Sequence, residues 1–138
     1  MEDITFLTLA EVIEIHTDQI QRYGGSDGVR DMNLLSSAVA MPYASFSSSF
    51  LHSDIYEMAA AYAFHICQNH PFVDGNKRTA LASALVFLEF NEISISDSKG
   101  RLYDAMIAIA NGVMNKTEFA KILRDLNNYS KPSNISIT

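Results

Sequence analysis

Residues 55–68, Ile55-Tyr-Glu-Met-Ala-Ala-Ala-Tyr-Ala-Phe-His-Ile-Cys-Gln68, carry apolar side chains on every side of a helical projection. A helix with no polar face belongs at the centre of a bundle. Asp54 with Glu57 forms a capping box that opens this segment, and Asn69, His70 and Pro71 end it. After a short loop, residues 77–91 (Lys-Arg-Thr-Ala-Leu-Ala-Ser-Ala-Leu-Val-Phe-Leu-Glu-Phe-Asn) repeat the pattern with almost no charge in their middle. The pair predicts two central helices, and with them an all-α fold.

Outward from that pair, amphipathic segments supply the covering layer. Thr8 and Glu11 make a capping box, and Leu9, Val12, Ile13, His16, Ile20 and Tyr23 recur at helical spacing until Gly24-Gly25. A helix over roughly 9–23 follows. Asp31 can cap a shorter one whose Leu34, Leu35, Ala38 and Val39 form a stripe, with Pro42 as its stop. Residues 43–52 are serine-rich with interleaved aromatics, which suits an exposed loop or hairpin. Residues 93–96 (Ile-Ser-Ile-Ser) alternate like a short strand, residues 99–111 read as an amphipathic helix closed by Gly112, and Asn115 with Glu118 caps a last helix to about Asn127. The expectation is one domain over 1–127, a bundle of about six helices with a short hairpin flap before the motif helix. A loosely held polar tail, 128–138, contains Pro132.

Composition narrows the function classes. The chain has 138 residues, 48% of them hydrophobic, enough for one core and too few for two. Ten Lys+Arg against sixteen Asp+Glu give a net charge of −6, which repels a phosphate backbone and disfavours general nucleic-acid binding. No apolar run reaches membrane-spanning length, and Met1-Glu-Asp is acidic where a secretory leader is basic, so a cytoplasmic protein is expected. The single cysteine, Cys67, falls in an apolar stretch and is read as core.

Between the two central helices stands His70-Pro-Phe-Val-Asp-Gly-Asn-Lys-Arg78, with an imidazole, a carboxylate, an amide and two cations in nine residues. Burying so many polar groups without partners would cost several kcal/mol, on the order of ~2 per group, so the loop calls for a ligand. It also opens a helix, whose unpaired N–H groups and positive dipole end favour an anion, and Gly75 lets backbone approach a phosphate closely. Cations at a helix N-terminus oppose the dipole, so Lys77 and Arg78 point to an anionic ligand too. Asp74 can hold a Mg²⁺ ion bridging phosphate oxygens. An imidazole, titrating near about 6.5, can take a proton from a hydroxyl at cellular pH, which gives His70 the part of base. Base, metal ligand and anion cradle together describe transfer of a phosphorus group.

This segment resembles the Fic motif, His-x-Phe-x-Asp/Glu-Gly/Ala-Asn-Gly/Lys-Arg, and matches it at every specified position through His70, Phe72, Asp74, Gly75, Asn76, Lys77 and Arg78. It is more similar to the Doc (death-on-curing) branch, which has lysine at position 77 and continues with Thr79-Ala80-Leu81. Tyr23-Gly-Gly, Gly28-Val-Arg-Asp31 and Leu34-Leu-Ser-Ser-Ala38 also look like Doc-type segments, so the likeness spans roughly 4–127. The resemblance implies a toxin of a toxin–antitoxin pair that uses ATP and Mg²⁺ to modify a Ser/Thr hydroxyl of a target protein, with a translation component as the family-level expectation. It assigns the base to His70, the Mg²⁺ ligand to Asp74, phosphate binding to Gly75, Asn76, Lys77 and Arg78, and anchorage of the loop to Phe72. The 43–52 segment lies where the family places its target-docking flap.

Two departures separate this chain from AMP-transferring relatives: Lys77 in place of glycine, and Leu81 where a second arginine is usual. Both favour transfer of the terminal phosphate over transfer of AMP. The family's inhibitory pattern, Ser/Thr-x-x-x-Glu-Gly/Asn, has its nearest counterpart in Ser53 and Glu57, which are followed by Met58, so a helical antitoxin segment acting in trans is the expected partner. A catalytically silent antitoxin-binding protein is the reading from another class, and the intact motif speaks against it. A metal nuclease needs clustered carboxylates and a basic surface, and ranks last. His65 and His16 are read as core histidines with hydrogen-bond partners, His52 as an exposed polar residue of the flap, and Tyr56, Tyr62 and Phe64 as core.

Overall fold

The computed structural model describes residues 3–47 and 49–127. Over them the chain folds into six α-helices: α1 (Leu9–Tyr23), α2 (Met32–Ala40), α3 (Ile55–Asn69), α4 (Asn76–Phe90), α5 (Arg101–Ala110) and α6 (Lys116–Asp125). A two-stranded antiparallel hairpin, β1 (Ser45–Phe46) with β2 (Ser49–Phe50), stands between α2 and α3, with Ser45 opposite Phe50 and Phe46 opposite Ser49. The all-α expectation, the helix count and the hairpin flap all hold. The predicted tail, 128–138, lies outside the described residues.

The centre is α3, as its composition requires. Met58, Ala59, Ala60, Ala61, Tyr62, Ala63 and Ile66 are fully buried on it, and it packs against α2, α4, α5 and α6. Its alanines, with Ala80 and Ala84 of α4, keep the α3–α4 interface close, and this is the most extensive helix pair of the fold. Phe87 of α4 lies against Tyr62, and Phe6 stacks on Phe87. The Tyr62 hydroxyl accepts the Leu7 N–H at 2.8 Å, so the buried oxygen ties the N-terminal strap to the core. That burial pushes the Tyr62 phenol well above its ordinary value.

The capping residues act as their side chains dictate, with one revision. Thr8 with Glu11 and Asn115 with Glu118 are reciprocal capping boxes, and Asp31 accepts from the Leu34 N–H. Asp54 caps α3 through the Glu57 N–H, but the Glu57 carboxylate accepts from Ser53 N–H and Oγ rather than closing the box on Asp54. Pro42 follows the end of α2 as expected. The α-helix ends at Ala40, and Pro42 sits buried within a 3-10 turn, Met41–Tyr43, whose first positions tolerate its missing N–H.

Two further expectations are corrected. Among the described residues, 93–96 form no strand: Ile95 makes only an isolated bridge to Asn127, and Ser96 donates to the Leu126 carbonyl. His52 is not exposed on the flap but buried. It is 7% exposed in a stretch whose neighbours Leu51 and Ser53 face water, and its Nε2 accepts from the Lys116 ammonium at 3.1 Å. The same ammonium donates to Nε2 of half-buried His65 at 3.0 Å. One lysine on α6 thus ties the base of the hairpin to α3.

Candidate active site

The site is built at the junction of the two central helices. Helix α3 stops at Asn69 because His70 takes a left-handed conformation (φ 50, ψ 52) and Pro71 follows. A non-glycine residue in that region needs support from its surroundings. The support comes from the chain ahead of α2. The N–H groups of Arg30 and Asp31 both donate to the Pro71 carbonyl, at 2.7 and 3.1 Å, and the Val73 N–H donates to the Gly28 carbonyl at 3.0 Å. Val29 and Phe72 face each other in an antiparallel bridge.

Inside the loop, Asn76 acts on backbone. Its amide is 5% exposed, accepts the Phe72 N–H at 2.9 Å and donates to the Phe72 carbonyl at 3.0 Å. One acceptor and one donor of the side chain are thereby spent on holding the loop, and the backbone N–H of Asn76 is free to face an anion at the helix start. Phe72 is fully buried and stacks face to face on the His16 imidazole, with ring centroids 3.9 Å apart and planes within 4°. His16, 1% exposed, then donates through Nε2 to the Asp74 carbonyl at 2.8 Å and faces Asp27 with Nδ1 at 3.5 Å. An aromatic anchor and an imidazole strut thus fix the backbone on either side of Val73.

Helix α4 begins on Gly75, which is left-handed at φ 75, and no side chain caps its first turn. The opening N–H groups of such a helix are an anion site. Asp74 stands beside it with an exposed carboxylate whose Oδ1 accepts the Gly75 N–H at 2.8 Å and whose Oδ2 accepts the Ser26 N–H at 3.2 Å. The Ser26 and Gly75 bonds hold its pKa below the usual carboxylate value, and the Arg78 and His16 charges add to that. Asp74 therefore stays ionised, as a metal ligand must. Gly25 makes room for it, since a Cβ there would stand 2.7 Å from Asp74 Oδ2.

Arg78 donates to the Gly24 carbonyl at 2.9 Å and lies over the Tyr23 ring, which places a guanidinium on the last turn of α1 with donors to spare. Lys77 is exposed and, among the described residues, has no ion-pair or hydrogen-bond partner. His70, Asp74, Gly75, Asn76, Lys77 and Arg78 all line one cleft of about 300 Å³. Of the seven predicted site residues only Phe72 lies outside it, buried beneath as the anchor. A donor set of one ionised carboxylate beside an anion-binding helix start fits Mg²⁺, which keeps waters and takes one or two carboxylates plus phosphate oxygens.

Sequence reasoning missed four contributors. Tyr103, 67% exposed on α5, closes the cleft across from the motif and gave no signal beyond being an aromatic on an amphipathic helix. His16 was read as core with a hydrogen-bond partner, which is correct for burial and silent about its partner being the motif backbone. Arg30 and Gly25 stand far from the motif in sequence, and only the fold brings them to it.

Comparison with known proteins gives the family. A family model described as Fic/DOC family matches residues 6–88. "Protein kinase doc" of Escherichia phage P1 is 34% identical over 116 residues, covering 84% of this chain and 90% of that protein. "Toxin Doc" of Mycolicibacterium smegmatis (strain ATCC 700084 / mc(2)155) is 40% identical over 74 residues, 54% of this chain and 57% of that protein.

Proposed function

The chain belongs to the Fic/DOC family, and on that premise we propose that it is a Doc-type toxin: a transferase that moves the terminal phosphate of ATP to a Ser/Thr hydroxyl of a target protein. The observation that carries the reading is the cleft itself, where an ionised carboxylate, two cations and an uncapped helix start surround a space rimmed by one imidazole. The name of the phage P1 relative, a protein kinase, supports phosphate as the transferred group. So does Leu81, half-buried where AMP-transferring relatives usually carry an arginine.

In the mechanism that this supports, the α4 N–H groups, Lys77 and Arg78 bind the phosphates of ATP and orient the terminal one. Asp74 would hold Mg²⁺, which supplies charge neutralisation for the phosphate oxygens when bound. His70 accepts the proton of the attacking hydroxyl as its oxygen bonds to the terminal phosphorus and the bond to the bridging oxygen breaks, releasing ADP. Gly75 N–H is not part of the cradle, because it already donates to Asp74. Gly75 contributes by having no side chain, where a Cβ would come within 3.3 Å of the Arg78 guanidinium.

The β1–β2 hairpin is the surface on which a target segment would dock, as an added strand. The partner that restrains the toxin would be an antitoxin offering a helical segment, and the target belongs to the translation apparatus. No direct nucleic-acid contact is part of this reading, and among the described residues no helix is long and apolar enough to cross a membrane.

The test is incubation of the protein with a bacterial lysate, Mg²⁺ and ATP labelled separately at the α and γ phosphates. Protein-bound label from the γ position alone supports phosphate transfer. Label from the α position would establish AMP transfer instead, and no label from either would leave a silent antitoxin-binding protein.

A further inference from the structure

We propose that Arg30 is a positioning residue for His70, acting through the backbone and not on the substrate. The proposal rests on the proposed phosphate transfer for its kinetic readout, though the contacts that support it stand independently. The Arg30 guanidinium donates through Nε to the His70 carbonyl at 2.8 Å, and through Nη2 to the carbonyls of Asn69 at 3.1 Å and His70 at 2.5 Å. Its own backbone N–H takes the Pro71 carbonyl at 2.7 Å. One residue thus satisfies three successive carbonyls, 69, 70 and 71, across the point where α3 ends.

The Asn69 and His70 carbonyls are among those that a helix C-terminus leaves without partners, and they carry the negative end of the dipole, while Pro71 lies just beyond it. Helices often meet this need with glycine in the left-handed position, where a Cβ would be strained. Here that position is His70 at φ 50, because the side chain is needed in the cleft. A planar fork reaching two adjacent carbonyls fixes the peptide plane that follows His70, and with it the direction of the imidazole. Arg30 is exposed, and among the described residues no carboxylate pairs with it. A surface arginine whose guanidinium bonds all go to carbonyl oxygens has a geometric task.

Asn69 completes the arrangement from the other side. Its amide donates to the Leu34 carbonyl at 2.9 Å, so the last turn of α3 is tied to α2, whose N-cap Asp31 follows Arg30 directly. Loss of Arg30 therefore frees the His70 peptide without detaching α2 or altering the α4 start where ATP binds.

The experiment compares wild type with Arg30→Ala and Arg30→Lys in γ-phosphate transfer, reading kcat and KM for ATP separately, and records the His70 ring resonances by NMR. Misplacing a base by about 1 Å costs on the order of 10²-fold in rate, so Arg30→Ala should lower kcat by that factor with KM for ATP within about twofold. Arg30→Lys, a single cation without the fork, should fall between the two. Millimolar guanidinium chloride should restore part of the Arg30→Ala rate. The His70 signal should be single in wild type and broadened or doubled in Arg30→Ala. An unchanged kcat with an unchanged His70 spectrum overturns the proposal, as does a loss confined to KM. If wild type transfers no phosphate, the functional reading fails, and the NMR comparison alone still decides whether Arg30 positions His70.

Discussion

Asn76→Ala distinguishes two roles for the same side chain, phosphate ligand or loop staple. The amide is buried and bonds both the N–H and the carbonyl of Phe72, at 2.9 and 3.0 Å. Alanine leaves both backbone groups without partners beneath a loop anchored by a fully buried ring. An unsatisfied buried polar group costs about 1–3 kcal/mol, so two cost about 2–6 before relaxation, and partial water entry brings the expected loss to about 3 kcal/mol. For a chain of this length that is a fall in melting temperature of about 10 °C.

Urea unfolding read by circular dichroism measures the first quantity, and calorimetric titration with the non-hydrolysable ATP analogue in Mg²⁺ measures the second. The staple role requires a large loss of stability, with nucleotide binding weakened only as far as the loop loosens. Asn76→Asp keeps an acceptor for the Phe72 N–H but turns a charged oxygen toward the Phe72 carbonyl, so it should be at least as damaging. The reasoning is refuted if Asn76→Ala unfolds within about 0.5 kcal/mol of wild type while its nucleotide affinity drops tenfold or more. That pattern would mean that the amide leaves Phe72 for phosphate.

Further outcomes follow from the same contacts. His70→Ala should reduce γ-phosphate transfer by on the order of 10²–10⁴-fold while leaving the urea midpoint in place, since the side chain is exposed; retained activity would remove His70 as the base. Asp74→Ala should abolish the Mg²⁺-dependent part of nucleotide binding, measured by calorimetry with and without chelator, and a Mg²⁺ response equal to wild type would refute the assignment. Gly25→Ala combines a φ of +114 with a Cβ 2.7 Å from Asp74 Oδ2, so it should lower stability by about 1–3 kcal/mol and mimic Asp74→Ala in the same titration. The His65 pKa is pushed down to about 4, chiefly by burial and then by the Lys116 charge. The unfolded chain protonates near about 6.5, so folding stability should be level above that pH and fall as pH drops toward about 4, by on the order of 1–2 kcal/mol once the half-exposed ring is discounted. Urea midpoints at about pH 7 and about pH 5 check this, and a His65→Gln variant with the same acid loss would show that His65 is not its source.

The central helices were legible because their signal is local and strong. No amphipathic register exists in residues 55–68, so burial on all sides was the one packing available, and α3 is buried in that way. Caps were legible for the same reason, since Thr8, Asp31, Asp54 and Asn115 each act within three residues of themselves. What failed locally failed through partners that sequence distance hides. Glu57 was claimed by Ser53 and not by Asp54, and His52 was drawn inward by Lys116, 64 residues away. The alternation at 93–96 is a true period-2 pattern that, among the described residues, makes only an isolated bridge.

The candidate site divides along the same line. Residue types at 70–78 announce what chemistry the loop can do, since imidazole, carboxylate, amide and cations have few other reasons to crowd together. They do not announce which groups face the ligand. Within that nine-residue run, Asn76 and Phe72 face inward and hold the backbone, while His70, Asp74, Lys77 and Arg78 face the cleft. Linear order cannot separate the two sets, because the loop changes hand twice, at His70 and again at Gly75, and each left-handed residue redirects the side chains after it. Those two turns are stabilised from outside the motif. Arg30 secures the peptide after His70, and His16 secures the one before Gly75 through the Asp74 carbonyl. The cleft-facing groups are therefore written in one short segment, and the contacts that orient its backbone come from residues dispersed over α1 and the chain leading into α2. A substitution at Arg30 or His16 should consequently damage transfer while leaving every motif residue intact.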